Sequence, residues 1–329
     1  MRQSVKPKVY YPQFAMTMRC PTLKELPSPP PGKTGWPWTE ESSQLPDTMP
    51  DGRLWPKVSI VTPTFSQGQF LEETIRSVLL QGYPNLEYII IDGSSSDNSV
   101  EIIEKYDRYL AYWVSESDRG QGHAISKGMH RFNGQIEAWL NSDDRYLPGC
   151  LHRVAAKFAA RHDFIYGNRV VWNSDGKVIG LERLPRFHPY AYVIYTQRSL
   201  FQEACFWSKN LRQLVGWINK DLRYNLDTDW FRRLTEKCSR PCHIPEYIAG
   251  CIEHEGRKSV ECDATGRALN HEEGENLLKE FLRERGISRL RHLAGWIWYV
   301  PLMRIQIGQF PLSFPRIETI KKIIMDPKI

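Results

Sequence analysis

The sequence predicts an α/β protein built on a mainly parallel sheet that is flanked by helices. Short apolar runs alternate with segments in which apolar residues recur at helical spacing. The apolar runs are almost continuous, which is typical of strands that are buried on both faces of a sheet. Most of these runs end in polar, largely acidic residues. No G-x-G-x-x-G or Walker-type loop occurs, which disfavours dinucleotide-binding and P-loop proteins.

The composition favours a soluble protein whose partner is not nucleic acid. Hydrophobic residues make up 41% of the 329 positions and charged residues 25%, and the net charge is only +6. An odd count of seven cysteines in a long chain favours reduced thiols over a disulfide scaffold. A cytoplasmic location is expected, because no signal-peptide core and no bilayer-spanning apolar run is found.

Residues 1–56 are rich in proline and are predicted to form an extended N-terminal arm. Proline removes a backbone donor and restricts φ, so long helices and central strands are disfavoured there. Trp36 and Trp38 indicate that part of the arm packs on the main domain, with a disordered tail as the alternative.

The first strand–helix–strand unit begins where the arm ends. "KVSIVT" (57–62) and "LEYIIID" (86–92) are β-rich runs. Between them, "QFLEETIRSVLLQG" (69–82) has apolar residues at helical spacing and ends before Tyr83-Pro84, a strong helix stop. A unit of this size is typical of a crossover between parallel strands.

The same alternation continues to residue 141. Helices are predicted at "SSSDNSVEIIEKY" (94–106) and "GQGHAISKGMHRF" (120–132), and strands at "LAYWVSE" (110–116) and "GQIEAWLN" (134–141). The four strands therefore belong to one parallel sheet, in which ligands bind beyond the carboxyl ends of the strands.

Acidic groups gather at those carboxyl ends. They follow three of the four strands, at Asp92, at Asp118 and at Asp143-Asp144. One acidic strand end commonly caps the next helix, but three on one edge suggest a site for a hydroxyl-rich ligand associated with a metal ion.

Several separated motifs, in the right order, resemble family 2 glycosyltransferases of the GT-A fold. They are "VSIVTPTFSQGQFLEETIRSVLLQGYPNLEYIIIDGSSSDNS", "SESDRGQGHAISKG" and "WLNSDD", and the similarity covers about residues 58–259. The resemblance implies one Rossmann-like domain at 57–262 that binds a nucleoside diphosphate sugar. The arm at 1–56 and a helical tail at 263–329 lie outside it.

The resemblance assigns the nucleoside to the first two strand ends. Pro63, Thr64 and Phe65 would flank the base, and Asp92 would accept a hydrogen bond from the base or ribose. Gly93 would let the backbone approach the ligand closely.

The third motif is implied to reach the nucleotide and its phosphates. Asp118 would contact the nucleotide, Arg119 would meet phosphate, and Lys127 belongs to the same motif. The chain departs from the family at His123 and Ser126, where aspartate and asparagine are usual. This departure implies a changed sugar preference or lost contacts, and an ordinary surface histidine is the alternative for His123.

The stretch "NSDD" (141–144) resembles the acidic metal motif of the family, with Asn141 at its first acidic position. Asp143 is then the main protein ligand of Mg²⁺ or Mn²⁺, because hard divalent cations prefer carboxylate and diphosphate oxygens. Ser142 and Asp144 are expected to contact the sugar nucleotide. Alternatively, Asp144 would bind the metal ion or cap the turn.

The later segments are implied to supply the acceptor side. "LDTDWFRRL" (226–234) resembles a family segment with two carboxylates, so Asp227 is the expected general base and Asp229 the alternative. Trp207 would stack on a sugar face or pack in the core. "CIEHEGRKSV" (251–260) resembles a late loop in which His254 would join the metal or the diphosphate.

Residues 280–329 combine arginine with tryptophan and tyrosine side chains. This mixture suits an anionic membrane surface, so peripheral contact with the inner face of the cell membrane is predicted. A helix pair packed on the catalytic domain is the alternative.

These features together predict a metal-dependent, inverting glycosyltransferase of cell-envelope polysaccharide biosynthesis. Its donor would be a nucleoside diphosphate sugar, with UDP as the first choice, and its acceptor a hydroxyl group of a glycan or lipid-linked molecule. A non-catalytic sugar-nucleotide-binding module is one alternative, suggested by Asn141, His123 and Ser126. A sugar nucleotidyltransferase is the other, disfavoured because no glycine-rich basic loop follows the first strand.

Overall fold

The structure, a computed structural model, describes residues 8–10, 19–186, 189–190, 193, 199–255, 264–287, 292, 295 and 299. The segment predicted to contact a membrane lies largely outside these residues.

A ten-stranded sheet forms the framework of the protein. Its strands in chain order are β1 (Lys8–Tyr10), β2 (Val58–Thr64), β3 (Leu86–Asp92), β4 (Tyr112–Ser115), β5 (Ile136–Trp139), β6 (Asp144–Tyr146), β7 (Phe164–Asn173), β8 (Val178–Glu182), β9 (Cys205–Ser208) and β10 (Pro241–Glu253). Their order across the sheet is β1-β4-β3-β2-β5-β9-β7-β10-β6, and β8 pairs with β7.

The four strands predicted from the sequence are confirmed as β2, β3, β4 and β5. They lie side by side in the order β4-β3-β2-β5, and their pairings are all parallel. The register places Thr64 beside Asp92 and Asp92 beside Ser115. The carboxyl ends of these strands therefore share one edge of the sheet, as predicted.

The sequence motifs do not predict the second half of the sheet, in which parallel and antiparallel pairs are mixed. Strand β9 is antiparallel to both β5 and β7, β10 is parallel to β7, and β6 is antiparallel to β10. The segment expected to begin a late loop is instead the end of β10, where Cys251 pairs with Asp144. This pairing carries the end of β10 to the acidic stretch that follows β5.

Helices cover both faces of the sheet. They are α1 (Gly68–Leu79), α2 (Ser99–Tyr106), α3 (Gln121–Met129), α4 (Cys150–Ala159), α5 (Lys209–Val215), α6 (Leu226–Lys237) and α7 (Ala264–Glu284). The first three occupy the positions predicted from the sequence. Successive strand residues face opposite layers, so Ile60 packs with α1, α2 and α4 whereas Val61 packs with α3 and α6.

Part of the proline-rich arm packs on this domain. Trp38 and Trp55 are buried, and the indole N–H of Trp36 donates to the Tyr146 carbonyl at 2.8 Å. The predicted packing of arm aromatics on the main domain is therefore seen in this described part of the arm.

A buried arginine of α1 holds the arm in place. Arg76 has no exposed surface, and its guanidinium donates to the carbonyls of Pro27, Pro37 and Trp38 at 2.8–3.0 Å. A buried cation is tolerated only when its donors are satisfied. The arm and Arg76 therefore stabilise each other.

The six cysteines that the structure describes are all free thiols. Within the described ranges, none of the helices combines the length and the apolar character that crossing a bilayer requires.

Replacing Arg76 by methionine is expected to release the arm and to lower the free energy of unfolding by about 2–4 kcal/mol, because buried carbonyls lose a charged donor. Urea unfolding measures the stability, and limited proteolysis within residues 19–56 reports release of the arm.

The matched control is Arg53→Met. Arg53 is exposed and pairs with Asp51 in the same turn, so its loss should change stability by less than about 0.5 kcal/mol. Equal stability of the two variants would contradict the role given to Arg76.

Candidate active site

A cavity of about 690 Å³ opens at the carboxyl ends of the parallel strands. Its walls include Thr64, Gly93, Asp118 and Asp143 from the strand ends and Asp227 from α6. The fold therefore brings together groups from both halves of the chain, as expected for a site beyond the strand ends.

Pro63, Thr64 and Phe65 form one end of this cavity. Thr64 is 4% exposed, and its hydroxyl has no hydrogen-bond partner among the described residues, so it is available to a ligand. The Phe65 side chain is 65% exposed, which leaves its ring open to stacking. A Cβ on Gly93 would lie 3.2 Å from the Phe65 ring and 3.1 Å from the Asp118 carboxylate, so glycine keeps this end open.

Asp92 lies behind this end of the cavity rather than in its wall. It is fully buried, and its carboxylate accepts hydrogen bonds from the Ser94 and Ser95 backbone N–H groups and the Ser115 hydroxyl at 2.6–3.1 Å. The Ser95 hydroxyl also donates to it. This side chain therefore joins the turn after β3 to β4, and its contact with the base or ribose stays a prediction.

Helix α3 separates this cavity from a second one of about 510 Å³. His123, Ser126 and Lys127 line the second cavity, and Lys127 pairs with Glu116 at 2.9 Å. Arg119 is exposed just before α3, and its backbone N–H donates to the His123 ring at 3.4 Å. Neither Lys127 nor Arg119 is part of the first cavity's wall, and the donor contacts expected of them stay predictions.

Asn141 organises the turn that holds the paired carboxylates. The side-chain oxygen of Asn141 accepts from the Gln121 side-chain amide at 2.8 Å. The Asn141 side-chain N–H₂ donates to Asp144 at 3.1 Å and to the Gln202 side-chain oxygen at 2.6 Å. An ionised aspartate could make neither of the last two bonds, because it has no N–H. The departure from the acidic motif at this position therefore has a structural reason.

Asp143 and His254 meet in the same region. Nε2 of His254 lies 3.2 Å from Oδ2 of Asp143, and the His254 ring packs on Phe70 with 4.3 Å between ring centroids. The Ile252 backbone N–H donates to the Asp143 carbonyl at 3.2 Å, which ties the end of β10 to the acidic turn. A carboxylate and an imidazole at this separation can serve as ligands of one divalent cation.

A second group of possible metal ligands is buried nearby. Ligand atoms of Asp144, Glu203 and Cys251 lie within 4.8 Å of one another. The guanidinium of Arg169 pairs with Glu203 at 3.3 Å. Burial alone would lower the pKa of Arg169, but the Glu203 carboxylate helps to raise it, so the side chain stays cationic. This positive charge makes the group a poorer cation site than the carboxylate–imidazole pair.

Asp227 and Asp229 lie in the first turn of α6 but have different surroundings. Asp227 lines the cavity, where burial raises the pKa of its carboxyl and the nearby Glu203 adds to the effect. Asp229 is 4% exposed and pairs with Arg232 at 3.1 Å and with Arg233 at 2.8 Å. The alternative of Asp229 as base is corrected to a structural role, because it would have to break two ion pairs to accept a proton.

Trp207 belongs to the core. It has no exposed surface, its indole N–H donates to Glu137 at 3.1 Å, and it packs edge-on against Trp139 and Trp230. The predicted stacking of Trp207 on a sugar is therefore corrected, since no face of the ring is available.

Several residues of the cavity wall lie outside the sequence predictions. Gln202 and Glu203 directly precede the segment expected on the acceptor side, and this proximity is a signal that could have identified them. Arg169 and Asn270 have no comparable signal, because they come from β7 and from α7, which lies beyond the region of family resemblance.

Comparison of the sequence with known proteins finds glycosyltransferases. The family model described as "Glycosyl transferase family 2" matches residues 59–214. An uncharacterised glycosyltransferase of Mycobacterium tuberculosis is 36% identical over 188 residues, which cover 56% of this chain and 70% of that protein. A GalNAc(5)-diNAcBac-PP-undecaprenol beta-1,3-glucosyltransferase of Campylobacter jejuni is 28% identical over 120 residues, which cover 35% of this chain. The chain spans only 19–39% of the length of this and three other curated relatives.

Solved structures share the fold at low sequence identity. Residues 1–349 of TarS from S. aureus, solved in complex with UDP, superimpose with a TM-score of 0.56 at 15% identity. The match covers 76% of this chain and 72% of the TarS chain. The same TarS segment in complex with UDP-GlcNAc gives a TM-score of 0.53 at 17% identity.

Replacing Asn141 by aspartate is expected to lower the free energy of unfolding by about 1–3 kcal/mol, because two buried acceptors lose their donor and a like charge is placed beside Asp144. Urea unfolding in the presence of a chelator measures this loss without interference from metal binding.

Asn219→Asp is the matched control. The exposed Asn219 side chain accepts from the Asp221 backbone N–H at 3.1 Å, a bond that aspartate can also accept. Similar stability of both variants would show that the Asn141 amide donors are unimportant.

Proposed function

The chain belongs to glycosyltransferase family 2, and we propose that it uses a nucleoside diphosphate sugar as donor. It is a glycosyltransferase with the GT-A fold. In this proposal the acceptor is a hydroxyl group of a glycan or of a lipid-linked molecule, and the configuration of the anomeric carbon is inverted. UDP is the first nucleotide to test, because TarS shares the fold and was solved with UDP and UDP-GlcNAc.

One observation supports this proposal above the others: a carboxylate with a raised pKa lines the same cavity as the strand ends. Asp227 occupies one wall, and Thr64, Phe65 and Asp118 occupy another part. A donor bound with its nucleoside at the strand ends would direct its sugar toward the rest of the cavity. The acceptor then enters beside Asp227.

Asp227 is the proposed general base. It takes the proton of the acceptor hydroxyl while the hydroxyl oxygen bonds to the anomeric carbon and the bond to the nucleoside diphosphate oxygen breaks. The electron pair of that bond leaves with the diphosphate. A base is most effective when its pKa approaches the working pH, so the raised pKa of Asp227 suits this task.

Asp143 and His254 are the proposed ligands of a divalent cation. Their ligand atoms lie 3.2 Å apart, which is close enough to share one ion, and the carboxylate oxygen suits Mn²⁺ or Mg²⁺. When bound, such a cation neutralises charge on the departing diphosphate as a Lewis acid. Ser142 and Asp144 line the cavity next to this pair and are proposed donor contacts.

A role in cell-envelope polysaccharide synthesis, at the cytoplasmic face of the membrane, is part of the same proposal. A lipid-linked acceptor would require the enzyme to work at a membrane surface. Flotation with anionic liposomes, with and without residues 280–329, tests that contact.

A non-catalytic sugar-nucleotide-binding module and a nucleotidyltransferase are the alternatives. Thermal shift with UDP-glucose, UDP-galactose and UDP-N-acetylglucosamine in Mn²⁺ identifies the donor that binds. Slow release of free sugar from that donor supports the transferase, and binding without release supports the module. Pyrophosphate release from UTP and a sugar phosphate would support the nucleotidyltransferase.

Asp227→Asn is expected to lower transfer or donor hydrolysis by about 10²–10⁴-fold while donor affinity is unchanged. In the unaltered enzyme, the rate should fall as the pH drops through the raised pKa of Asp227, because only the ionised carboxylate accepts a proton. Rates measured across pH should show this acid limb above the ordinary range of an aspartate.

Asp221→Asn is the control, because Asp221 is exposed in the loop before α6. It should retain full activity. Normal turnover of Asp227→Asn would assign the base to another group.

Asp143→Asn is expected to weaken UDP binding in Mn²⁺ by about 10-fold or more and to change it little in chelator, because a metal ligand is lost. Calorimetric titration with UDP under both conditions measures the difference.

Asp175→Asn, in the exposed turn between β7 and β8, removes the same charge away from the cavity and should leave both affinities unchanged. An equal loss for Asp143→Asn with and without metal would refute its role as a ligand.

A further inference from the structure

Three consecutive backbone N–H groups in front of α6 donate to one carboxylate. The Arg223 N–H donates to Oε1 of Glu273 at 2.9 Å, and the Tyr224 and Asn225 N–H groups donate to Oε2 at 2.9 and 3.1 Å. Burial acts to raise the pKa of Glu273, but these donors hold it below its usual value. Glu273 is therefore an ionised acceptor that holds this loop to α7.

A second contact joins the same two segments. The Asn225 side-chain amide donates to both the backbone carbonyl and the Oδ1 atom of Asn270, each at 2.8 Å. Further along α7, Phe281 is buried, and the Arg232 guanidinium of α6 lies 5.3 Å from its ring centroid. Helix α7 is thus docked along α6 and bonded to the loop that leads into it.

The residues whose N–H groups bind Glu273 are followed directly by Leu226 and by Asp227, the proposed base. Tyr224, Leu226 and Asp227 all line the cavity, and Asn270 of α7 lines it as well. The part of the loop before this point has anchors of its own, because the Arg233 guanidinium donates to the Val215 and Trp217 carbonyls at 3.0 and 3.1 Å and Ile218 is buried. The residues directly before Leu226 and Asp227 are thus held by a carboxylate of α7, which lies beyond the matched family region that ends at residue 214.

We propose that Glu273 is a positioning residue for sugar transfer, which holds residues 223–225 and thereby fixes Asp227 against the acceptor hydroxyl. The inference rests on the proposed function, in which Asp227 is the general base. It assigns to α7 the acceptor side of the reaction, whereas the donor is held by the strand ends. Loss of the hydrogen bonds from residues 223–225 to Glu273 should therefore impair proton transfer and leave nucleotide binding intact.

Glu273→Gln tests this proposal, because the substitution turns an amide N–H₂ group toward backbone donors. Amides 223–225 should exchange with deuterium at least about 10-fold faster, because the amide N–H₂ cannot accept at one of the two oxygen positions and the remaining oxygen carries no charge. Hydrolysis of the UDP-sugar chosen by thermal shift should fall by about 10–100-fold, because a small misplacement of a reacting group is costly. UDP affinity in Mn²⁺ should stay within about 2-fold, because Glu273 touches none of the proposed donor contacts.

Glu272→Gln is the matched control. Glu272 is the exposed neighbour on the same helix, so the variant has the same charge change and should match the unaltered protein in all three measurements. Should Glu273→Gln fail to fold, Asn225→Ala removes the contact with Asn270 and should lower hydrolysis by about 3–10-fold with unchanged UDP affinity.

Two outcomes would overturn the positioning role. Glu273→Gln could behave like Glu272→Gln, or it could lower UDP affinity, thermal stability and hydrolysis together, which is the pattern of a purely structural residue. Failure of the proposed function looks different, since the unaltered protein would then bind and hydrolyse no nucleoside diphosphate sugar, whichever nucleobase that sugar nucleotide carries.

Discussion

Parallel pairing of β4, β3, β2 and β5 is the constraint on which the rest of the site depends. The pairing register puts Thr64, Asp92 and Ser115 in one row, so the polar residues that end each strand share an edge. Asp92 uses its buried carboxylate to tie two of these ends together. The side chains that follow the row, among them Phe65 and Asp118, are then left to face the cavity.

Gathering acidic groups on one edge creates repulsion that the protein relieves in three different ways. The Asn141 amide provides neutral donors to Asp144, the Arg169 guanidinium pairs with Glu203, and the His254 imidazole meets Asp143. The Asn141 amide donates hydrogen bonds without adding charge, whereas the Arg169 guanidinium neutralises the charge of a buried carboxylate. The imidazole differs from the other two partners, because an imidazole and a carboxylate can serve as ligands of the same ion, as proposed for His254 and Asp143.

Segments distant in the chain complete the domain on both sides. Arg76 inserts into the proline-rich arm, and Glu273 of α7 holds the loop before α6. Both contacts use one charged side chain to satisfy several backbone groups of an irregular segment. Irregular segments have no ladder of their own, so such contacts give them a defined position. The arm and α7 are thus parts of the folded domain in structure, although both lie outside the matched family region.

The sequence by itself determined the first half of the fold and several of the strand-end residues that line the cavity. Strand and helix periodicity is local, so β2 to β5 and α1 to α3 were predictable, and Phe65, Asp118 and Asp143 followed from their positions at strand ends. Only the tertiary structure decided what depends on long-range pairing. It placed Trp207 in the core, enclosed Asp229 between two arginines and brought Arg169 and Asn270 into the cavity. The periodicity of a sequence shows which residues of one strand or helix are buried. It does not show which residues of other strands and helices will lie beside them, because those elements are distant in the chain.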